Sequence, residues 1–224
     1  VCKQLGKEPK FVTSPSGIKS RYTDKETAEI FTMVMSGRIN KTIVQMLQKN
    51  GINAIGLSGV DARVIEADRK KKLLIVNEKG RKQAIDGGYT GKIKNVNSGF
   101  IKSLLKQGLT PVISPIAISE ESEFLNVDGD RAAAYVAGSV GSDKVLFITN
   151  VDGLLMDDKV GPKLTLAEAK EIRPKIGPGM EKKILASTEA LDMGVKQAFI
   201  ANGQKENPIS SAIAHDNCTV IEHE

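Results

Sequence analysis

The sequence is poor in the residues that most often build reactive or cross-linked sites: two cysteines, two histidines and no tryptophan in 224 residues. Cys2 and Cys218 stand at opposite ends of the chain, which suits neither a disulfide framework nor a metal cluster. His215 and His223 lack partner spacing, so local hydrogen bonding or solvent suits them better than metal ligation. No Ser, Cys or His nucleophile has a usable neighbour, and neither a Walker-type lysine loop nor a dinucleotide fingerprint occurs. No apolar run reaches the roughly 20 residues that cross a bilayer, and Val1-Cys2-Lys3-Gln4 is not the core of a secretion signal. A cytoplasmic protein without a membrane partner is expected. Six Phe and three Tyr leave little ring surface for stacking bases, which weighs against a nucleic-acid partner. The net charge of +5 keeps a basic nucleic-acid binding module as an alternative.

What is present has the composition of a folded domain, 40% hydrophobic and 26% charged. Thr23 and Glu26 have the spacing of a capping box, followed by Ile30, Phe31, Val34 and Met35 at helical intervals. After Gly37 the pattern resumes with Ile39, Ile43, Val44, Met46 and Leu47, and Gly51 ends it. Ala54 to Leu57 reads as a buried strand, Leu73 to Asn77 with Arg81 to Ile85 as a hairpin, and Tyr89 to Val96 as another strand. Asn97 caps a helix that Gly108 closes; Pro111 to Ala117 is the next strand. Leu125 to Leu155 places an alanine-rich helix and an apolar strand between two polar turns. Thr165 and Glu168 cap a short helix, Met180 to Met193 is a longer one, and strands near Gln197 to Ile200 and Thr219 to Ile221 finish the chain. Alternating strands and helices predict an α/β fold with a largely parallel sheet. In such sheets ligands collect beyond the carboxyl ends of strands, which directs attention to those polar turns.

Several side chains there suit anionic chemistry. The turn Lys175-Ile176-Gly177-Pro178-Gly179 precedes a helix whose first N–H groups and dipole attract anions, and Lys183 lies one turn inside. A Gly-Pro-Gly run is ordinarily just a loop. Asp130 is either a helix-start residue favoured by the dipole or an acceptor that orients ammonium groups around a transferring phosphoryl. Asn126 either bonds its own turn or donates to a substrate carboxylate, and Arg21 either makes a surface ion pair or clamps a carboxylate.

Taken in order, Arg21-Tyr22-Thr23-Asp24, Gly56-Leu57-Ser58-Gly59-Val60-Asp61, Asn126-Val127-Asp128-Gly129-Asp130, Thr149-Asn150-Val151-Asp152-Gly153-Leu154 and Gly179-Met180-Glu181-Lys182-Lys183 resemble the amino acid kinase family. The resemblance spans nearly the whole chain. It is nearest to the N-acetylglutamate kinases and, closer still, to the branch acting on aminoadipate or glutamate attached to the carrier protein LysW. It implies a three-layer αβα sandwich of the amino acid kinase/carbamate kinase type, with residues 1–142 binding the acyl substrate and forming a homodimer and residues 143–224 binding nucleotide. Phe31 and Met35 are candidates for the dimer contact or for the core. The implied reaction is attack of a side-chain carboxylate on the γ-phosphate of ATP, with Mg2+ on the phosphates, giving an acyl phosphate. Lys183 and Asp130 would be catalytic, and Arg21 and Asn126 would bind the amino acid. Asn150, Val151, Asp152, Gly153, Leu154 and Leu155 with Lys175, Ile176 and Gly177 would hold the nucleotide. No protein ligand set for the metal is implied.

The family's opening Lys-x-Gly-Gly strand and glycine-rich loop have no counterpart before Arg21. The resemblance therefore carries the expectation that Val1 is internal to a longer gene product, that the first two strands are missing, and that the chain as given has little kinase activity. Around the predicted hairpin, Arg69, Lys70, Lys71, Lys72, Arg81 and Lys82 form the densest basic cluster. The implied partner is an acidic LysW-like carrier that this cluster would steer; a solvated hairpin is the plainer explanation. Gly87 to Ile93 resembles the carrier-dependent branch more than the free-acid branch, and N-acetylglutamate stands as the alternative substrate.

Overall fold

The computed structural model describes residues 1–15, 17, 19–156, 159–161, 163–177 and 179–224. Pro178, inside the expected phosphate-binding turn, lies outside the described residues. Packing divides the chain into two units, Val1–Gly129 and Asp130–Glu224.

In the first unit, β1 (Phe11–Thr13) and β2 (Lys19–Arg21) form an antiparallel hairpin that the sequence pattern does not announce. α1 (Lys25–Thr32) follows, capped by Asp24 and not by Thr23: the Asp24 carboxylate accepts the Thr27 N–H at 2.8 Å. Thr23 is instead 1% exposed, and the Glu26 carboxylate takes the Lys7 ammonium. A π-helical turn, Met33–Ile39, carries the rod through Gly37 into α2 (Asn40–Lys49). Asn40 anchors that wide turn from a fully buried position, donating to the Leu57 carbonyl at 3.1 Å and the Val112 carbonyl at 2.8 Å. The Ser114 hydroxyl donates to the Met35 carbonyl at 3.0 Å. Gly51, at φ +77°, ends α2 as expected.

The unit continues with β3 (Ala54–Ser58), β4 (Ile65–Arg69), β5 (Lys72–Val76), β6 (Lys82–Asp86), β7 (Gly91–Val96), α3 (Ser98–Lys106), β8 (Thr110–Ser114), β9 (Ile116–Ile118) and β10 (Phe124–Asn126). Asn97 caps α3 through the Phe100 N–H. The expected strand Pro111 to Ala117 divides into β8 and β9 at Pro115, whose nitrogen has no proton for a ladder. β3 and β8 pair in parallel. One four-stranded sheet has the order β2-β1-β5-β6 and is antiparallel throughout; another has the order β10-β9-β4-β7. Val64, Ile65, Ile116 and Leu125 are among the most buried side chains of this unit.

The second unit holds nearly all of α4 (Gly129–Val140), then β11 (Lys144–Thr149), β12 (Leu155–Met156), β13 (Lys159–Val160), β14 (Lys163–Thr165), α5 (Leu166–Ile172), α6 (Met180–Asp192), β15 (Gln197–Asn202), α7 (Pro208–Ile213) and β16 (Cys218–Glu222). Its sheet order is β11-β15-β16-β14, parallel at β11–β15 and β14–β16 and antiparallel at β15–β16. Thr165 and Glu168 make the expected capping box. The apolar faces of α5 and α6 meet Val145, Phe147, Ile200 and Ile221 in one core. The α/β class read from the sequence is therefore the fold observed. Among the described residues no helix is long and apolar enough to cross a membrane.

Candidate functional site

Arg21, Thr23 and Asn126 line one cavity of about 650 Å3 in the first unit, together with Phe31, Val34 and Met35 from α1 and the π-helical turn. In a largely apolar lining Lys3 and Arg21 are the side chains suited to a carboxylate, and the Arg21 guanidinium also lies 5.7 Å from the centre of the Phe11 ring. The Asn126 amide donates to the Thr23 hydroxyl at 3.1 Å. Both residues are set by the glycine-rich segment that follows β6. The Tyr89 N–H donates to the Thr23 carbonyl at 2.7 Å, and the Tyr89 carbonyl accepts the Asn126 N–H at 2.8 Å. Gly88 must be glycine for this: its φ is +61°, and a Cβ would stand 2.3 Å from the Thr23 carbonyl oxygen.

Phe31 and Met35, candidates for a dimer contact, thus line this cavity. The exposed apolar side chains of the same helical rod are Met33, Ile39, Ile43 and Met46.

In the second unit, the first turn of α4 supplies Asp130 and the first turn of α6 supplies Lys183. The Lys183 ammonium lies 2.9 Å from both Asp130 oxygens, with both side chains largely buried. An ammonium gripped by two oxygens is oriented, and the carboxylate sits where the α4 dipole favours negative charge. Next to this pair Arg131 Nε donates to Glu189 Oε2 at 2.8 Å, and its terminal nitrogen reaches Oε1 at 2.5 Å. Two ion pairs therefore tie α4 to α6. α6 follows Gly179, at φ +95°, and the Glu181 N–H in its first turn donates to the Gly177 carbonyl. The helix dipole favours an anion at this end, near Lys183.

The turn Asn150 to Leu155 follows β11. Asp152 accepts the Asn202 amide at 2.8 Å and the Lys205 ammonium at 2.8 Å. Those two donors, Lys205 before Asn202, hold its carboxyl below the ordinary range. The Leu154 N–H donates to the buried Thr219 hydroxyl, which donates to the Gly161 carbonyl at 2.8 Å. Val151 and Leu155 keep exposed apolar side chains. Lys175 is exposed beside Glu171, Ile176 packs partly on the core, and the Gly177 carbonyl accepts the Glu181 N–H. Among the described residues no group of three or more His, Cys, Asp or Glu could hold a metal ion. A magnesium ion carried by nucleotide phosphates needs no such group.

The basic cluster lies on the sheet β2-β1-β5-β6 and its corners. Lys70, Lys71, Lys72, Arg81 and Lys82 are exposed. Arg69 differs: it pairs with Glu123 at 2.9 Å, reaches Asp86 at 3.5 Å, donates to the Gly88 carbonyl and stacks 4.3 Å from the Tyr89 ring centre. Sequence reasoning missed Thr23 as a cavity residue, Tyr89 as the clip that holds it, and the Arg131–Glu189 pair. Only the glycines around Tyr89 offered a local signal.

An α/β unit with a mixed sheet and an ammonium oriented in the first turn of a helix is compatible with phosphoryl transfer. The amino acid kinase family profile matches residues 2–202. The chain is 94% identical over 224 residues to a Nitrosopumilus maritimus protein, covering all of this chain and 84% of that one; its provisional name is LysW-aminoadipate/LysW-glutamate kinase. It is 47% identical over 220 residues to the Sulfolobus acidocaldarius LysW-aminoadipate/LysW-glutamate kinase, covering 98% of this chain and 83% of that one. Among solved structures, N-acetylglutamate synthase from Neisseria gonorrhoeae shares the fold with TM-score 0.78 at 21% identity, over 99% of this chain and 48% of that one. Carbamate kinase from Giardia lamblia does so with TM-score 0.58 at 13% identity, over 89% and 74%. The chain belongs to the amino acid kinase family, and its activity class is that of a phosphotransferase.

Proposed function

We propose that the full gene product containing this chain catalyses ATP-dependent phosphorylation of the side-chain carboxylate of aminoadipate or glutamate carried on an acidic LysW-like protein, in lysine or arginine biosynthesis. A carboxylate oxygen forms a bond to the γ-phosphorus as the bond to the β,γ-bridging oxygen breaks, leaving an acyl phosphate and ADP. The carboxylate is already ionised near neutrality, so no general base is needed. The chemistry asks for positioning and charge neutralisation.

The observation that carries this reading is the Lys183 ammonium aligned by both oxygens of Asp130 in the first turn of α6. Lys183 would neutralise charge growing on the transferring group, with Asp130 fixing its direction. Arg21 and Asn126 would hold the amino-acid moiety in their cavity. Asn150 to Leu155 and Lys175 to Gly177 would hold the nucleotide, whose magnesium would neutralise phosphate charge. Residues 1–142 would thus serve the acyl substrate and 143–224 the nucleotide. The names of the relatives and the Gly87 to Ile93 segment favour carrier-borne over free substrate. Arg69, Lys70, Lys71, Lys72, Arg81 and Lys82 would attract the acidic carrier. A cytoplasmic homodimer completes the reading, with Met33, Ile39, Ile43 and Met46 as its exposed apolar contact.

The test is a hydroxylamine trap of acyl phosphate formed by the full gene product with Mg-ATP. Turnover with aminoadipyl- or glutamyl-LysW and little with free N-acetylglutamate is expected. Equal or better turnover of the free acid would reject the carrier reading.

A further inference from the structure

The wide turn Met33–Ile39 is part of the cavity wall, since Val34 and Met35 belong to the lining and stand one turn beyond Phe31. A π-helical turn is rare and closes its bonds over five residues instead of four. Here the Asn40 N–H reaches back five residues to the Met35 carbonyl. The Ser36 hydroxyl, in the same turn, is buried with no hydrogen-bond partner. An orphaned buried hydroxyl is destabilising, so something beyond the rod must hold this stretch.

The support comes from the parallel pair β3 and β8. Besides its bonds to the Leu57 and Val112 carbonyls, the Asn40 amide donates to the Ser114 hydroxyl oxygen at 3.3 Å, and that hydroxyl donates to the Met35 carbonyl. Both side chains are buried. On the other side of the amide, the Lys41 ammonium donates to Asn40 Oδ1 at 3.3 Å and to the Gly56 carbonyl at 3.1 Å. A Cβ at position 56 would overlap that Asn40 oxygen. The relay from Asn40 through Ser114 to Met35 therefore pins one carbonyl of a cavity residue to a strand 79 positions later in the chain. Each helical residue turns the next by about 100°, so a wide turn displaced by one position would rotate Val34 and Met35 away from the cavity. Ser114, fixed in β8, opposes that displacement because it selects the Met35 carbonyl.

We infer, resting on the proposed reading of this cavity as the acyl site, that Ser114 is a positioning residue which, with Asn40 behind it, registers the wide turn so that Val34 and Met35 gauge the length of the acyl chain. Ser114 acts through Met35 and does not itself meet the substrate. Aminoadipate and glutamate differ by one methylene. An apolar wall held in place separates such a pair by about tenfold or more, and a wall that shifts separates them differently.

The experiment measures, for the full gene product and its variants, the ratio of kcat/KM for aminoadipyl-LysW to that for glutamyl-LysW, both carriers being those of Nitrosopumilus maritimus. A variant that is merely less stable loses active protein for both substrates alike, so its ratio stays fixed. Ser114→Ala is expected to change the ratio about threefold or more, through KM for the carriers, with KM for ATP unaltered. Ser114→Thr, which keeps the hydroxyl, is expected to keep the ratio of the unaltered protein. Asn97→Ala, which removes the cap of α3 in the same unit, is expected to lower stability and leave the ratio where it was. An unchanged ratio in Ser114→Ala, an equal change in Asn97→Ala, or a Ser114→Thr protein that behaves like Ser114→Ala would overturn the positioning role while leaving the acyl reading intact. Turnover of neither carrier-borne acid by the unaltered protein would overturn both.

Discussion

The Lys183 ammonium is held at 2.9 Å by each oxygen of Asp130, a residue 53 positions earlier in the chain, and each stands in the first turn of its own helix. If that pair is the phosphoryl-stabilising device, Lys183→Met should lower kcat about 10²- to 10³-fold, the usual effect of deleting one preorganised charge donor. Asp130→Asn, which leaves the ammonium in place but less directed, should cost about tenfold or more. Steady-state kinetics with melting curves checks both, since a variant that is merely unstable would lose its folded fraction.

Arg131 and Glu189 brace the same two helices. A double-mutant cycle with Arg131→Met and Glu189→Gln should return a coupling of about 1 kcal/mol in urea unfolding. Because α6 carries Lys183, either single variant should also reduce kcat by about threefold through misplacement of the ammonium. Coupling near zero would mean that the pair positions nothing.

Gly88 and Gly80 make an internal comparison. Both have positive φ, +61° and +71°, but a Cβ at Gly80 meets open space whereas one at Gly88 meets the Thr23 carbonyl. Gly80→Ala should cost about 1–2 kcal/mol from backbone strain alone. Gly88→Ala should cost more and also raise KM, because Thr23 and Asn126 depend on the Tyr89 clip. Unfolding curves and substrate titrations of the two variants separate the effects.

Acid stability should carry a contribution from Asp152. Lys205 first and Asn202 second hold its folded pKa below the ordinary 3.8. A depressed carboxylate pKa means that the folded state binds its proton less readily than the unfolded chain. The stabilisation is therefore complete above the ordinary value and is lost as pH falls through the depressed one. Asp152→Asn should flatten the fall of melting temperature between about pH 5 and pH 3 relative to the unaltered protein. An unchanged slope would contradict this.

Local features were legible in the sequence where a short spacing decides them. Asn97 and the Thr165–Glu168 box cap their helices as their spacing requires, and Gly51 turns the chain at positive φ. The first cap was misplaced by one residue because Thr23 and Asp24 are both competent caps. A long-range bond decides between them, since Thr23 is recruited by Asn126, 103 residues away. β4 went unread because its Ile65-Glu66-Ala67-Asp68-Arg69 run alternates around charged residues that find Arg63, Lys94 and Glu123 only in the folded chain. Asp130 and Lys183 are proposed as site residues through family resemblance, and their ion pair is a feature of the folded chain. Their partnership with the neighbouring Arg131 and Glu189 was not legible, since nothing in either segment alone indicates that α4 and α6 meet there.

The most direct measurement follows transfer of the γ-phosphoryl of labelled ATP to aminoadipyl-LysW by the full gene product, with the Lys183→Met protein alongside. The account predicts hydroxylamine-labile label on the carrier, forming at a rate that falls about 10²- to 10³-fold in the variant. Label that resists hydroxylamine, or transfer that proceeds equally well without Lys183, would contradict it.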